Sequence, residues 1–335
     1  MKKLLNLNIF YDPNYWLKHR KLFSSSLSQS SLLNNYYLKS YKNNYPINEN
    51  FIKSGPQKLV NNILKSYLGN KNVVFNQSKF NNYYFINFDQ DNLKLVKNLL
   101  KNKSNKLIIG PLYTVDNFKN LAKLTTEHEN LKIVVASESS METMKNIAKD
   151  LVSSEKFLLL PVGIQSTKEI YLFAEKKKII NNQCLIYFKG RKKTELEYVK
   201  AKLKAKNISF EIYEYGKYKN RQLIKVAKKS KYGIVLGRTE SQGIAINEIM
   251  ATNLPLLILN SSINNYEGKS FHGTTVPYWD KSCGEIVNDL NSFDDIFEHF
   301  IENVDSNIYN SSEYIAENLS FESMHRQLDQ AFKSF

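Results

Sequence analysis

Two alternating periodicities constrain this chain more than any other feature. Short apolar runs at residues 4–10, 72–75, 83–88, 106–110, 132–137 and 156–162 have the length of strands buried on both faces. Between them, "PQKLVNNILKSYL", "DNLKLVKNLLKN", "VDNFKNLAKLTTEH" and "SMETMKNIAKDLV" repeat apolar residues every third or fourth position, which places them on one face of a helix. Strands joined through helices pair in parallel, because the helix carries the chain from the carboxyl end of one strand back to the end of the sheet where that strand began. The rhythm then starts again. "CLIYFKG" (184–190), "SFEIYEYG" (209–216), "YGIVLG" (232–237) and "LPLLILN" (254–260) are separated by the helical patterns "TELEYVKAKLKAKN", "NRQLIKVAKKS" and "GIAINEIMATN".

The expected fold is therefore α/β, with two Rossmann-like domains and a cleft between them. The Pro and Gly of "LPVGIQS" mark the linker, giving an amino-terminal domain over 1–163 and a carboxyl-terminal domain over 164–335. Residues 11–54, rich in Ser, Asn and Tyr, break the pattern and read as an irregular insertion. An amphipathic helical tail runs from Asp294 to Phe335.

Composition narrows the chemistry. An apolar fraction of 42% suits a packed core and not a disordered chain. Net charge is +15, which favours anionic partners, although Lys and Asn are spread throughout and form no basic block. Arginine is the scarcer cation: Arg20, Arg191, Arg221, Arg238 and Arg326 are its five occurrences. An arginine among so many lysines marks a place where a planar fork of donors is needed. Cys184 and Cys283 make neither a disulfide framework nor a metal spacing, so the expected compartment is a reducing cytoplasm. No run approaches the roughly 18 apolar residues of a membrane span.

Two strand ends carry the candidate chemistry. Ligands of open α/β sheets bind outside the carboxyl ends of strands. After the strand at 232–237 come Arg238, Glu240, Ser241, Gln242 and Gly243, with a helix opening at Gly243 and Ile244 and Glu248 inside it. A helix amino end suits a phosphate, and glycine admits close approach. Glu240 and Glu248 can accept hydrogen bonds from two sets of hydroxyls around that cradle. The plainer alternative is that both glutamates only complement the helix dipole. After the strand at 184–190 come Gly190, Arg191, Lys192 and Lys193, followed by an expected capping box of Thr194 with Glu197. A cation there can clamp a pyrophosphate.

"ESQGIAINEIMATNLPLL" resembles the E-x7-E signature of retaining glycosyltransferases with the two-domain GT-B fold, family 4 in particular. The glutamate spacing, Gly243, "EIMA" and Pro255 agree with it. Ser241 in place of a glycine, Ile249 in place of alanine, and Thr252-Asn253 depart from it. "LIYFKGRKK" is similar to the family's strand ending in Gly-Arg, with Lys192 and Lys193 directly adjacent where the family's lysine is spaced further on. The resemblance implies a nucleotide-sugar donor held by Gly190, Arg191, Lys192 and the 240–248 segment, with Gly216 of "EYGKY" near the base. It implies catalysis through Glu240, Arg191 and Lys193, with retention, no cofactor and no metal. "SGPQKLVNNIL" resembles the acceptor-side glycine loop at Gly55, and Ser139 of "ASESS" is a second acceptor-side candidate. The expected acceptor is a glycan or lipid-linked intermediate, with peripheral contact to an anionic membrane surface; no nucleic-acid motif is present. The alternative is a twin-Rossmann nucleotide- or glycan-binding protein without turnover.

Two further signals are open to a second reading. Asp89 and Asp91 in "FDQD" imitate a metal-binding Asp-x-Asp, but they directly precede a helix that an aspartate would cap. The histidines show no metal spacing. His272 in "SFHGTTVPYWD" belongs to a segment that either lids the site or packs against its own domain.

Overall fold

A computed structural model describes residues 5–11, 55–148, 153–165, 182–266 and 269–335. The expected insertion, from residue 12 onward, lies outside them. The described chain forms two units, the first comprising residues to Gly163 together with Met324–Phe335, the second Ile164–Ser323.

In the first unit the elements are β1 (Leu7–Phe10), α1 (Gly55–Ser66), β2 (Val73–Phe75), β3 (Asn82–Phe88), α2 (Gln90–Leu100), β4 (Lys106–Tyr113), α3 (Val115–Glu127), β5 (Leu131–Val135), α4 (Glu138–Ala148) and β6 (Phe157–Leu159). The strands make one six-stranded sheet in the order β2-β1-β3-β4-β5-β6. Every pairing is parallel, as strands linked by helices require. Phe85, Ile109 and Ile133 from successive strands pack with Phe118 and Leu121 of α3, all fully buried. Asp89 caps α2: its carboxylate accepts from the backbone N–H of Asp91 at 3.0 Å and of Asn92 at 3.3 Å. Asn92 closes the box by accepting from the Asp89 N–H at 3.1 Å. The "FDQD" aspartate is thus a helix cap.

The second unit contains β7 (Gln183–Lys189), α5 (Lys193–Ala205), β8 (Ser209–Glu214), α6 (Asn220–Ala227), β9 (Tyr232–Gly237), α7 (Ile244–Met250), β10 (Leu256–Leu259), β11 (Ile263–Tyr266), β12 (Lys269–His272), β13 (Gly284–Val287), α8 (Phe293–Asp305) and α9 (Ser311–Asn318). Its five-stranded sheet runs β13-β10-β9-β7-β8, again parallel throughout. The antiparallel pair β11–β12 and the short edge strand β13 have no counterpart in the sequence reading. Each is only four residues long, too short for a period to show. Phe293, Phe297 and Phe300 of α8 pack on Tyr232 and Ile234 of β9. Lys202 and Lys206 of α5 meet Asp294 and Glu298 of α8, two rungs with the same four-residue step.

The last helix, α10 (Phe321–Lys333), begins in the second unit and continues in the first. Leu328 and Phe332 are buried there. The ammonium of Lys106 donates to the Phe332 carbonyl at 2.9 Å, and that of Lys132 donates to the Ser334 carbonyl at 3.0 Å while lying 4.8 Å above the Phe335 ring. His325 stacks on Tyr67 and shares a 3.0 Å hydrogen bond with the Ser66 hydroxyl. Capping carbonyls at a helix carboxyl end with ammonium groups fits the sign of the helix dipole.

Candidate functional site

The strand order fixes where a ligand would sit in the second unit. From β7 the chain goes to β8 on one side and later to β9 on the other, so the crossovers diverge between β7 and β9. Such a switch point leaves a crevice at the carboxyl ends of the two strands. Lys189 pairs with Gly237 at that end, and Gly190, Arg191, Arg238 and Glu240 follow directly.

A carboxylate and a cation meet here. The ammonium of Lys189 lies 2.5 Å from Oε1 of Glu240, with both side chains about six-sevenths buried, at 14% and 13% exposure. The same ammonium stands 4.3 Å above the ring of Tyr215. Taking two charges out of water is costly unless they compensate each other, as these two do. The backbone of Glu240 is fixed as well, its N–H donating to the Thr274 carbonyl at 2.9 Å. Tyr187 and Tyr218 share a 3.4 Å hydrogen bond between their phenols. Burial drives both phenols well above the usual tyrosine range; Glu240 reinforces this at both, and Glu248 at Tyr218. Tyr218 therefore feels both carboxylates at once.

Gly243 makes the turn into α7 with a left-handed backbone, φ 66° and ψ 33°, which a side chain would strain. A Cβ placed there would lie 3.9 Å from the Glu240 Cβ, so the turn and the first glutamate are neighbours. Asn247 locks the turn from inside the helix: its amide donates to the Gln242 carbonyl at 3.1 Å. Gln242 and Glu248 are buried, and Ser241 is exposed. The structure thus gathers Glu240, Gly243 and Glu248 at one strand end, beside Gly190.

Arg191 is engaged differently from the sequence expectation. Nε and Nη2 reach the two carboxylate oxygens of Glu195 at 2.9 and 2.6 Å, and Nη1 donates to the Asn260 carbonyl at 3.0 Å. Glu195, not Glu197, also closes the first turn of α5, accepting from the Lys192 N–H at 3.1 Å. The expected Thr194–Glu197 box is thereby corrected. The helix starts two residues earlier than that box implies, with Lys192 at the cap position and Glu195 held by Arg191, and Glu197 pairs with Lys200 instead. Lys192 and Lys193 are exposed at the start of α5, and Gly216 is exposed in the turn after β8.

The "SFHGTTVPYWD" segment packs onto its own domain. Thr275 is fully buried and donates its hydroxyl to the Gly237 carbonyl at 3.2 Å. The Asn260 side-chain oxygen accepts from the Thr275 N–H and from the Thr274 hydroxyl. His272 is exposed at the end of β12. In the first unit, Gly55 opens on empty space and needs no glycine for steric reasons. Ser139 and Ser140 both hydrogen-bond the buried Ser137 hydroxyl after β5. Among the described residues no group of three or more His, Cys, Asp and Glu side chains is placed to hold a metal ion.

Sequence reasoning missed Lys189, Tyr187 and Tyr218. Lys189 had a signal, being a charge at the end of an otherwise buried strand and directly before Gly-Arg. The tyrosines had none, because partnership between β7 and the loop after β8 is a tertiary fact.

No family model and no curated protein matches the chain. Solved structures do resemble it. An alpha-glucosyltransferase in complex with UDP-glucose and DNA containing an abasic site is 11% identical over 97% of this chain and 99% of its own, with a TM-score of 0.49. WaaG, a glycosyltransferase involved in lipopolysaccharide biosynthesis, is 11% identical over 83% of this chain and 95% of its own, at 0.41. A chain of the GtfA/B complex is 13% identical over 75% of this chain at 0.42, and this chain spans only 56% of its length. At these identities the similarity is one of chain course.

Proposed function

We propose that this protein is a glycosyltransferase that takes a sugar from a nucleotide-diphosphate donor bound in its second unit. The observation that carries the reading is the pair of carboxylates, Glu240 and Glu248, flanking the left-handed Gly243 turn at the switch point, beside the Lys189 ammonium. Carboxylates accept hydrogen bonds from sugar hydroxyls, while the surrounding cations match a diphosphate. In this reading Glu240 orients the transferred sugar and Glu248 the ribose. Lys189 neutralises Glu240, so that the carboxylate does not repel the neighbouring phosphates. Positive charge at the ends of β7 and β9, from Lys192, Lys193 or Arg238, stabilises the leaving diphosphate as the bond between the sugar carbon and the phosphate oxygen breaks. The acceptor hydroxyl attacks from the face the diphosphate leaves, its proton passing to the departing oxygen, which retains configuration. The acceptor is a glycan or lipid-linked hydroxyl, consistent with a chain of net charge +15 working near an anionic surface. Family 4 membership and independence from divalent metal belong to the same proposal.

A panel of UDP-, ADP- and GDP-sugars tests it. One donor is expected to raise the melting temperature and to release its nucleoside diphosphate slowly by hydrolysis, since a ligand specific to the folded state adds stability by mass action. A panel in which no member stabilises the protein overturns the reading. Stabilisation without any release of diphosphate selects the alternative, a binding protein without turnover.

A further inference from the structure

The two arginines at the β7–β9 crevice are in opposite situations. Arg191 has three of its nitrogens committed, two on Glu195 and one on the Asn260 carbonyl. It ties the first turn of α5 to the end of β10, and turning it toward a ligand would strip Glu195 of its partner. Arg238 is exposed, and among the described residues no hydrogen bond or ion pair holds its guanidinium. Its backbone is nevertheless held. The Arg238 N–H donates to the Lys189 carbonyl at 3.1 Å. Its stem lies along Gly190, where a Cβ would come within 3.1 Å of the arginine Cδ and 3.6 Å of Cγ. Gly190 itself has φ +68°, so the tight turn calls for glycine and the arginine stem lies against it. A planar fork of donors thus stands at the mouth of the crevice with no partner to give up, two residues before Glu240.

We propose that Arg238, and not Arg191, is the arginine that contacts the diphosphate of the donor, while Arg191 is a structural tie. This assignment rests on the nucleotide-sugar reading above. It places the phosphates over the Gly190 turn, between the ends of β7 and β9, with Lys189 and Glu240 already paired behind them. A guanidinium with no partner to give up offers its donors to a phosphate at no exchange cost. Arg191 would have to abandon a bidentate carboxylate for a comparable anion.

The test is calorimetric titration of UDP, ADP and GDP, and of the matching nucleosides, against the parent, Arg238→Met, Arg238→Lys and Arg191→Met. Arg238→Met is expected to bind the preferred diphosphate about tenfold or more weakly, a difference of about 1.4 kcal/mol. Its melting temperature and nucleoside affinity should match the parent, and Arg238→Lys should recover part of the loss. Arg191→Met should melt lower yet hold the diphosphate within about threefold of the parent, since it loses a tie and not a ligand contact. Arg238 is exposed, so its variants test the assignment even if Arg191→Met does not fold. Unchanged diphosphate affinity in Arg238→Met, or an equal loss in both methionine variants, overturns the assignment and leaves the nucleotide reading standing. A parent that binds none of the three diphosphates overturns that reading and this inference with it.

Discussion

At the scale of single residues, Glu240 and Glu248 differ in what surrounds them, so their replacements should differ in effect. Glu240 is partly open and paired with Lys189, whereas Glu248 is buried inside α7. If the first holds the transferred sugar, Glu240→Gln should lower kcat and spare affinity for the free nucleoside diphosphate. If the second holds ribose, Glu248→Gln should weaken diphosphate and donor alike and appear mainly in KM. A contact of equal strength in ground and transition states changes KM, and one that strengthens in the transition state changes kcat. Steady-state kinetics and titration on the two variants decide the matter. Parental kinetics and affinity in both would reduce the glutamates to complements of a helix dipole. Gly243→Ala belongs to the same scale. The φ of 66° should cost about 1 kcal/mol or more in urea unfolding, because an alanine Cβ is disfavoured in the left-handed region.

At the scale of elements, the caps and seams can be challenged one at a time. Asp89 supplies two backbone acceptor contacts at the start of α2, and Asp89→Ala should lower stability by about 1 kcal/mol, the usual cost of a lost amino-terminal cap. Turnover should not change with it. A loss of activity recoverable with Mn²⁺ would instead give "FDQD" a catalytic role. The seam of α10 is the larger element-scale contribution. Phe332 is buried in the first unit and its carbonyl is capped by Lys106, so Phe332→Ala should cost about 3–5 kcal/mol, as truncation of a buried aromatic generally does. Thermal melting of the purified variant reads this directly; a shift of a degree or less would mean that the last helix is not part of that core.

At the scale of the whole molecule, the proposed transfer, with its donor held by carboxylates, lysine and arginine, is written without a divalent ion. Excess EDTA should leave transfer intact, whereas abolition by EDTA with recovery in Mn²⁺ would overturn that expectation. The net charge of +15 predicts association with anionic vesicles that weakens as salt rises, because counter-ions screen exposed charges beyond about 8 Å at physiological ionic strength. Co-sedimentation with vesicles across a salt series checks it, and salt-independent binding would point to an apolar contact instead. No helix among the described residues is long and apolar enough to cross a membrane.

The two parallel sheets, and nearly every strand and helix in them, were legible in the amino-acid sequence alone. These follow from period and local chemistry: β9 begins and ends where the apolar run does, and Asp89 caps the helix it precedes. Tertiary structure decided which side chains meet. Arg191 and Arg238 look alike as letters beside a strand. One is consumed by Glu195 and Asn260 and the other lies unpaired over Gly190, a difference set by contacts between β7, β9 and β10. Lys189 finds Glu240 only because β7 and β9 are neighbours in the sheet, although 51 positions separate them in the chain. The last residues join the first sheet through lysines more than 200 positions away. Periodicity reports which face of an element is buried; it carries no information about which other element covers that face. Ion pairing and burial are properties of that second choice.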